Sequence, residues 1–141
     1  MAEIIIADTS CLISLHKIES LHILKNLFGE VCVTTEIQIE FGENLPEWIK
    51  IKNPIESEEL TLLKSLLDRG EATALALALQ VENSIVIIDE LKGRSIASSM
   101  GIRTTGTIGV LILAKDRKLI KDLIGVIDKM KEDGFRISKQ L

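Results

Sequence analysis

The sequence predicts an α/β fold: a three-layer α/β/α arrangement with a central sheet of short, mostly parallel strands. Three apolar runs, Ile4–Ala7, Val31–Val33 and 85–88, have the length and character of strands buried on both faces. Segments with helical spacing separate them, and alternating strands and helices form parallel sheets covered by helices. A chain of 141 residues has the usual size of one domain, so we expect a single domain over residues 1–141.

The segments predicted to be helical share apolar residues at intervals of three and four. In chain order they cover residues 10–16, 21–28, 35–41, 58–68, 71–81, 91–100, 108–115 and 119–131. The segment 71–81 is rich in Ala and Leu on nearly all sides, which predicts a buried helix. Residues 103–105 are long enough for a short fourth or fifth strand.

Residues at the ends of these helices support the assigned limits. Thr34 or Thr35 can cap the third helix, and Ser57 followed by two acids begins the fourth. Gly70 is expected to end the fourth helix. Both prolines fall between residues 46 and 54, which we expect to be the least regular stretch. Ser138 has the character of a cap for one more helix.

Composition restricts the class of protein. Apolar residues make up 46% of the chain but aromatic residues only 3%, so the core must be aliphatic. The 21 acidic residues outnumber 17 basic ones, which weighs against a purely electrostatic nucleic-acid binder. It weighs less against a nuclease whose site consists of carboxylates, because bound cations reverse the local sign of charge. The apolar runs are too short to span a bilayer, so we expect no membrane association and a cytoplasmic location.

Several other site types lack their residues. Cys11 and Cys32 lie in apolar runs without CxxC spacing and are expected to be buried, non-ligating thiols. His16 and His22 fall in helical segments without a nucleophile nearby, which indicates packing or surface roles. The glycines form neither a P-loop nor a dinucleotide-binding turn. A phosphatase of the haloacid dehalogenase type needs a second Asp where Ser10 stands.

Three acids are expected to converge at one edge of the sheet. Asp8 follows the first strand and Asp89 follows the strand at 85–88, and ligands bind outside the carboxyl ends of parallel strands. Glu71 begins a helix that runs antiparallel to the strand after it. About eleven helical residues span roughly 16 Å at 1.5 Å each, and the following strand with its connection spans a similar distance. The start of the helix therefore meets the end of the strand.

A fourth acid cannot be chosen from spacing. Glu36, Glu40 and Glu43 follow the second strand at intervals that place them on one helix face. A solvated face explains this stripe as well as a site does, and nothing in the spacing separates Glu36 from Glu40.

Five ordered motifs resemble the PIN-domain superfamily, and most closely its small prokaryotic toxin-like nucleases of the DUF3368 type. The motifs are IIADTSCLISL, VTTEIQIEF, LDRGEATALALA, IIDELKGRSIA and TGTIGVL. The resemblance covers nearly the whole chain and implies four acids: Asp8, Glu40, Glu71 and Asp89. Glu40 is chosen because the family's second motif, laid on Val31, ends there. The chain departs from the family at Thr34, where a proline is usual, and in a final helix cut short after Ser138.

The resemblance implies a metal-dependent endoribonuclease that uses Mg²⁺ or Mn²⁺, with RNA as substrate and, in many members, an antitoxin protein as partner. Carboxylates without His or Cys favour these hard cations over Zn²⁺. Asp8, Glu40 and Asp89 would hold the metal directly or through water, and Glu71 would help hold it or orient the attacking water.

Neighbouring residues are candidates for supporting roles. Ser10 could add a hydroxyl to the metal shell, and its role as a simple helix N-cap is an equal alternative. Arg94 and Lys92 could contact the scissile phosphate, although solvated charge explains each as well. The aliphatic helices are expected to form a homodimer. The alternative function is a PIN-like module that binds a protein or RNA without useful catalysis.

Overall fold

A computed structural model describes residues 3–136, which contain five strands and eight helices. The strands are β1 (Ile4–Ala7), β2 (Val31–Val33), β3 (Ile49–Ile51), β4 (Ser84–Ile87) and β5 (Thr104–Thr105). The helices are α1 (Thr9–Lys17), α2 (His22–Phe28), α3 (Thr35–Phe41), α4 (Glu58–Leu66), α5 (Arg69–Gln80), α6 (Leu91–Ser99), α7 (Thr107–Asp116) and α8 (Leu123–Glu132). The predicted three-layer α/β/α fold is confirmed.

All strands of the sheet are parallel, in the order β3-β2-β1-β4-β5. The prediction of a mostly parallel sheet is therefore confirmed, since each adjacent pair of strands is parallel. β1 lies in the centre, and its last residue, Ala7, is in register with Ile87 of β4. This register brings the chain segments that follow β1 and β4 to adjacent positions at the carboxyl edge of the sheet.

Helix α5 is the most deeply buried helix in the described part of the chain. Its residues from Gly70 to Ala78 are all buried, and it contacts α3, α4, β1 and β4. The predicted central helix is thereby confirmed, as is an aliphatic core. The largest fully buried side chains are Ile6, Leu12, Leu15, Leu24, Ile37, Leu63, Leu75, Leu77, Ile87, Ile88, Leu111 and Met130.

Strand β3 was not predicted from the sequence. It consists of three residues at the sheet edge, only Ile49 is buried, and Lys50 interrupts the apolar run that marks an interior strand. It follows Pro46, whose carbonyl accepts a hydrogen bond from the N–H of Ile49 at 3.1 Å. The stretch expected to be least regular therefore contains an edge strand.

The boundary between α4 and α5 also differs from the prediction. α4 ends at Leu66, and Asp68 caps α5 by accepting a hydrogen bond from the N–H of Glu71 at 2.9 Å. Gly70 therefore lies in the first turn of α5 and does not end α4. The residues that form the break are Leu67 and Asp68, both in extended conformation.

Other limits moved by a few residues. α8 begins at Leu123 and not at residue 119, because Lys118 has a positive φ of 64° and Asp122 caps the helix. Thr34, rather than Thr35, caps α3. Ser138, expected to cap a further helix, lies outside the described residues. Between residues 3 and 136, no helix is both long and apolar enough to cross a bilayer.

Replacing a buried leucine of α5 tests this packing. Leu75 and Leu77 are at most 1% exposed, so Leu75→Ala and Leu77→Ala should each reduce the free energy of unfolding by about 2–5 kcal/mol. Urea denaturation measures the loss. Leu79→Ala is the control on the same helix, because Leu79 is 37% exposed and should lose less. Losses below about half a kcal/mol for both buried leucines would contradict the central position of α5.

Candidate active site at the carboxyl edge of the sheet

The acids expected to converge come from four separate elements. Asp8 immediately follows β1 and occupies the N-cap position of α1 without a side-chain capping bond, and Asp89 lies two residues beyond β4. Glu71 occupies the first turn of α5, and Glu40 lies in the last turn of α3. Because β1 and β4 are adjacent and parallel, Asp8 and Asp89 project from the same edge.

Two of these acids are buried with an oxygen that has no hydrogen-bond partner. Asp8 is 5% exposed and Glu71 is 6% exposed. Within residues 3–136, neither Oδ1 of Asp8 nor Oε2 of Glu71 receives a hydrogen bond. A buried carboxylate oxygen without a partner is costly, so a proton or a cation is needed to stabilise each group.

Burial and neighbouring negative charges raise the pKa of both groups. The pKa of Asp8 rises from 3.8 to about 7 because of desolvation and the charges of Asp68, Glu40 and Asp89, partly offset by a hydrogen bond from the backbone of Thr9. The pKa of Glu71 rises from 4.5 to about 8 through desolvation, a hydrogen bond with Asp68 and the charges of Asp8, Asp68 and Glu90.

Asp89 is held differently from these two. Its Oδ1 accepts a hydrogen bond from the backbone N–H of Thr107 at 2.7 Å, and its Oδ2 accepts one from the hydroxyl of Thr107 at 2.6 Å. Thr107 is the first residue of α7, so Asp89 also lies at the positive end of that helix dipole. These contacts fix the orientation of the carboxylate.

The structure places Glu40, rather than Glu36, beside the other acids. The hydroxyl of Thr9 donates a hydrogen bond to Oε1 of Glu40 at 2.5 Å. Thr9 follows Asp8, and the charge of Glu40 contributes to the raised pKa of Asp8, whereas Glu36 is not among the groups that raise it. These contacts bring Glu40 near Asp8, and its choice over Glu36 as the fourth site acid stays a prediction.

A pair of buried hydroxyls connects α3 to α5. The Oγ1 atoms of Thr34 and Thr73 lie 2.8 Å apart, and Thr34 also accepts a hydrogen bond from the N–H of Ile37. The hydroxyl of Thr73 donates to the carbonyls of Arg69 and Gly70. This chain of hydrogen bonds sets the start of α3 against the start of α5.

Three glycines leave room for three of the carboxylates. A Cβ atom on Gly70 would overlap Oε1 of Glu40, and one on Gly93 would lie 2.9 Å from Oε2 of Glu71. A Cβ atom on Gly106 would lie 2.9 Å from Oδ1 of Asp89. A side chain at these positions would push the acids from where they now lie.

Two further acids belong to this edge and were not identified from the sequence. Asp68 caps α5, and its charge acts on both Asp8 and Glu71. Glu90 caps α6, and its charge acts on Glu71. The signal for Asp68 was its position three residues before Glu71, which is the spacing of a capping residue. Its assignment to the end of the preceding helix concealed that role.

The supporting residues are placed as follows. Ser10 is exposed, lines a cleft between α1 and α8, and does not cap α1, since Asp8 is the N-cap; the alternative role for Ser10 as a cap is therefore wrong. The guanidinium of Arg94 lies beside Gly106, close to Asp89. Lys92 is exposed.

The cysteines and one histidine have the structural roles expected of them. Cys11 and Cys32 are free and buried, and burial raises the pKa of Cys11 to about 12. A thiol with so high a pKa is a poor nucleophile and a poor ligand. His16 packs edge-on against Phe41, with ring centroids 5.3 Å apart.

The acids fit a hard cation in their chemistry but do not form a complete coordination shell as they lie. Within the described residues, no three His, Cys, Asp or Glu side chains are arranged to hold a metal ion. Asp89 and Glu40 are engaged by threonines, while the free oxygens of Asp8 and Glu71 are available. An all-oxygen donor set with two unpartnered carboxylate oxygens suits Mg²⁺ or Mn²⁺, which retain water as additional ligands.

Fold and site together define a small α/β domain with an acidic edge. The family model DUF3368, described as a PIN domain, matches residues 4–141, and the chain belongs to this family. PIN domains are generally nucleases that use divalent metal ions. No curated protein and no solved structure matches the chain.

The raised pKa values predict how stability depends on pH without divalent ions. The native state retains protons on Asp8 and Glu71 that the unfolded state has lost, so stability should fall as pH rises from about 4 through about 7–8. Asp8→Asn and Glu71→Gln should each flatten this fall. Urea denaturation at a series of pH values in EDTA measures it. Glu82→Gln, which removes an exposed acid before β4, is the control and should leave the slope unchanged.

Adding Mg²⁺ or Mn²⁺ should stabilise the wild-type protein at high pH, because a cation bound to the native state relieves the repulsion. Thermal denaturation at millimolar ion concentration measures the shift. If wild type and Asp8→Asn were equally stable at every pH, with and without the ions, the raised pKa of Asp8 would be contradicted.

Proposed function

We propose that this protein is a Mg²⁺- or Mn²⁺-dependent endoribonuclease that hydrolyses phosphodiester bonds of RNA. The observation that carries the proposal is the pair of buried, unpartnered carboxylate oxygens on Asp8 and Glu71, within a ring of further acids at the carboxyl edge of the sheet. A purely structural role does not require two buried acids to face one another's charge. Membership of the PIN-domain family supports the same reaction class.

Each acid has a proposed part in the reaction. Asp8, Glu40 and Asp89 hold the cation directly or through its water, and Glu71 helps hold it or orients the attacking water. A bound Mg²⁺ or Mn²⁺ ion supplies the positive charge that polarises the phosphodiester for hydrolysis. Thr107 keeps the carboxylate of Asp89 in place, and Thr9 does the same for Glu40. Ser10 is proposed as an auxiliary hydroxyl, and Arg94 and Lys92 as contacts to the phosphate.

The proposal extends to partners and location. We propose a cytoplasmic location, and we propose that the protein is the toxin of a toxin–antitoxin pair, bound by an antitoxin protein. We also propose a homodimer. The proposed contact is through the aliphatic helices, on which Ile39 of α3 is 71% exposed and Ile124 of α8 is 73% exposed.

Comparison of Glu40→Gln with Glu36→Gln tests the acid that the sequence alone could not choose. Glutamine preserves the size of Glu40 and its contact with Thr9 but removes the charge, so cleavage of RNA should fall about 10–100-fold or more while folding is kept. Glu36→Gln should retain near wild-type activity. Cleavage of a mixed RNA substrate with Mn²⁺ measures both.

Loss of cleavage in Glu36→Gln but not in Glu40→Gln would move the fourth acid by one helical turn, to Glu36. Equal and small effects would reduce the site to Asp8, Glu71 and Asp89. Complete absence of metal-dependent cleavage in the wild-type protein, with RNA binding retained, would favour the alternative of a binding module. That alternative is consistent with the incomplete coordination shell.

Light scattering tests the homodimer. The measured mass should be twice that of one chain at micromolar concentration, and Ile124→Ser should lower it if α8 contributes to the contact. A monomer at high concentration in the wild-type protein would contradict the dimer.

A further inference from the structure

A groove of about 570 Å³ runs between α6 and β5, next to the acidic edge. It is lined by Leu91, Arg94, Ser95, Ser98, Ser99 and Thr104. The lining residues of α6 recur at intervals of three and four, so they form one face of the helix. The opposite face carries Gly93 and Ala97, which are buried.

The residues that line this groove are polar or basic, apart from Leu91. No acid lines it, although the chain has a net charge of −4. Arg94 supplies a positive charge, and four of the six residues carry hydroxyls. Ser99 donates its hydroxyl to the carbonyl of Ile96, whereas the exposed hydroxyls of Ser95 and Ser98 have no partner among residues 3–136.

Arg94 lies between the groove that it lines and the acidic site. A Cβ atom on Gly106 would lie 2.9 Å from Oδ1 of Asp89 and 3.4 Å from Nη1 of Arg94, so the carboxylate and the guanidinium flank the same glycine. Gly93 lies on the buried face of α6, where an added Cβ atom would be 2.9 Å from Oε2 of Glu71. One short helix therefore faces the acids on one side and the groove on the other.

We propose that this groove binds the sugar–phosphate backbone of single-stranded RNA beside the phosphodiester that is cut. The proposal rests on the RNA cleavage proposed above. Arginine and serine side chains are common donors to phosphate oxygens, and hydroxyls can also bond a ribose 2′-OH. The groove has the volume of a small-molecule pocket, which is too small for a duplex. Contacts to phosphate and sugar carry no sequence information, so binding should tolerate different sequences.

Ser98→Glu tests the groove by placing a negative charge in the path of the backbone. Ser65→Glu is a matched control, because both serines are exposed and each is the second-last residue of its helix. Binding is measured by fluorescence anisotropy with a labelled, unstructured oligoribonucleotide in EDTA, so that no cleavage occurs. Ser98→Glu should weaken binding about tenfold, and Ser65→Glu should leave it within about twofold.

Kinetics and salt dependence provide a second readout. With Mn²⁺, Ser98→Glu should raise KM for the oligoribonucleotide and change kcat little, because the groove binds substrate away from the reacting bond. Arg94→Gln should reduce the dependence of log binding affinity on log salt concentration by about one. Thermal denaturation confirms that each variant is folded.

The outcomes separate this proposal from the proposed function. Cleavage by the wild type with equal behaviour of Ser98→Glu and Ser65→Glu would overturn the groove and leave the nuclease intact. Selective loss of binding in Ser98→Glu without any cleavage by the wild type would support the groove and overturn the nuclease. Absence of RNA binding by the wild type would overturn both.

Discussion

Helix α5 lies against β1 and β4 and is buried from Gly70 to Ala78. This packing brings its first turn, with Glu71, to the carboxyl edge where Asp8 follows β1. In the same turn, Gly70 leaves room for the side chain of Glu40. Further along α5, the hydroxyl of Thr73 contacts the hydroxyl of Thr34 at the start of α3. The contact between α5 and the sheet therefore supports the core and determines the spacing of the acids at once.

The stability of the site is limited by this arrangement. Burial stabilises the apolar side chains of α5 but destabilises the charged form of Glu71. The negative charges of nearby acids destabilise that form further. Hydrogen bonds compensate at Asp89, where Thr107 supplies two donors, but not at the free oxygens of Asp8 and Glu71. A protein that retains such a pair gives up some stability in the ion-free state, which is usual for groups that bind a cation or react.

The sequence predicted most of what depends on apolar pattern. β1, β2, β4 and the buried α5 were all recognised, because uninterrupted apolar residues indicate burial directly. β3 was missed because an edge strand with one buried residue has no such pattern. Asp8, Glu71 and Asp89 could be placed at one edge from topology alone, whereas Glu40 required the family pattern.

The roles of Asp68, Thr9 and Thr107 depend on side-chain contacts between segments distant in sequence. Asp68 was also assigned to the wrong helix, so its capping contact with Glu71 was not considered. Thr9 and Thr107 contact acids 31 and 18 residues away, respectively. Spacing along a helix or strand carries no information about such pairs.

The hydroxyl pair of Thr34 and Thr73 limits which substitutions these two positions can tolerate singly. Thr73 donates to backbone carbonyls, so the proton between the two hydroxyls comes from Thr34. Loss of either hydroxyl alone leaves a buried polar group with fewer partners, while loss of both leaves an apolar contact. Their effects are therefore non-additive. A change at either position is therefore tolerated better when the other position changes with it.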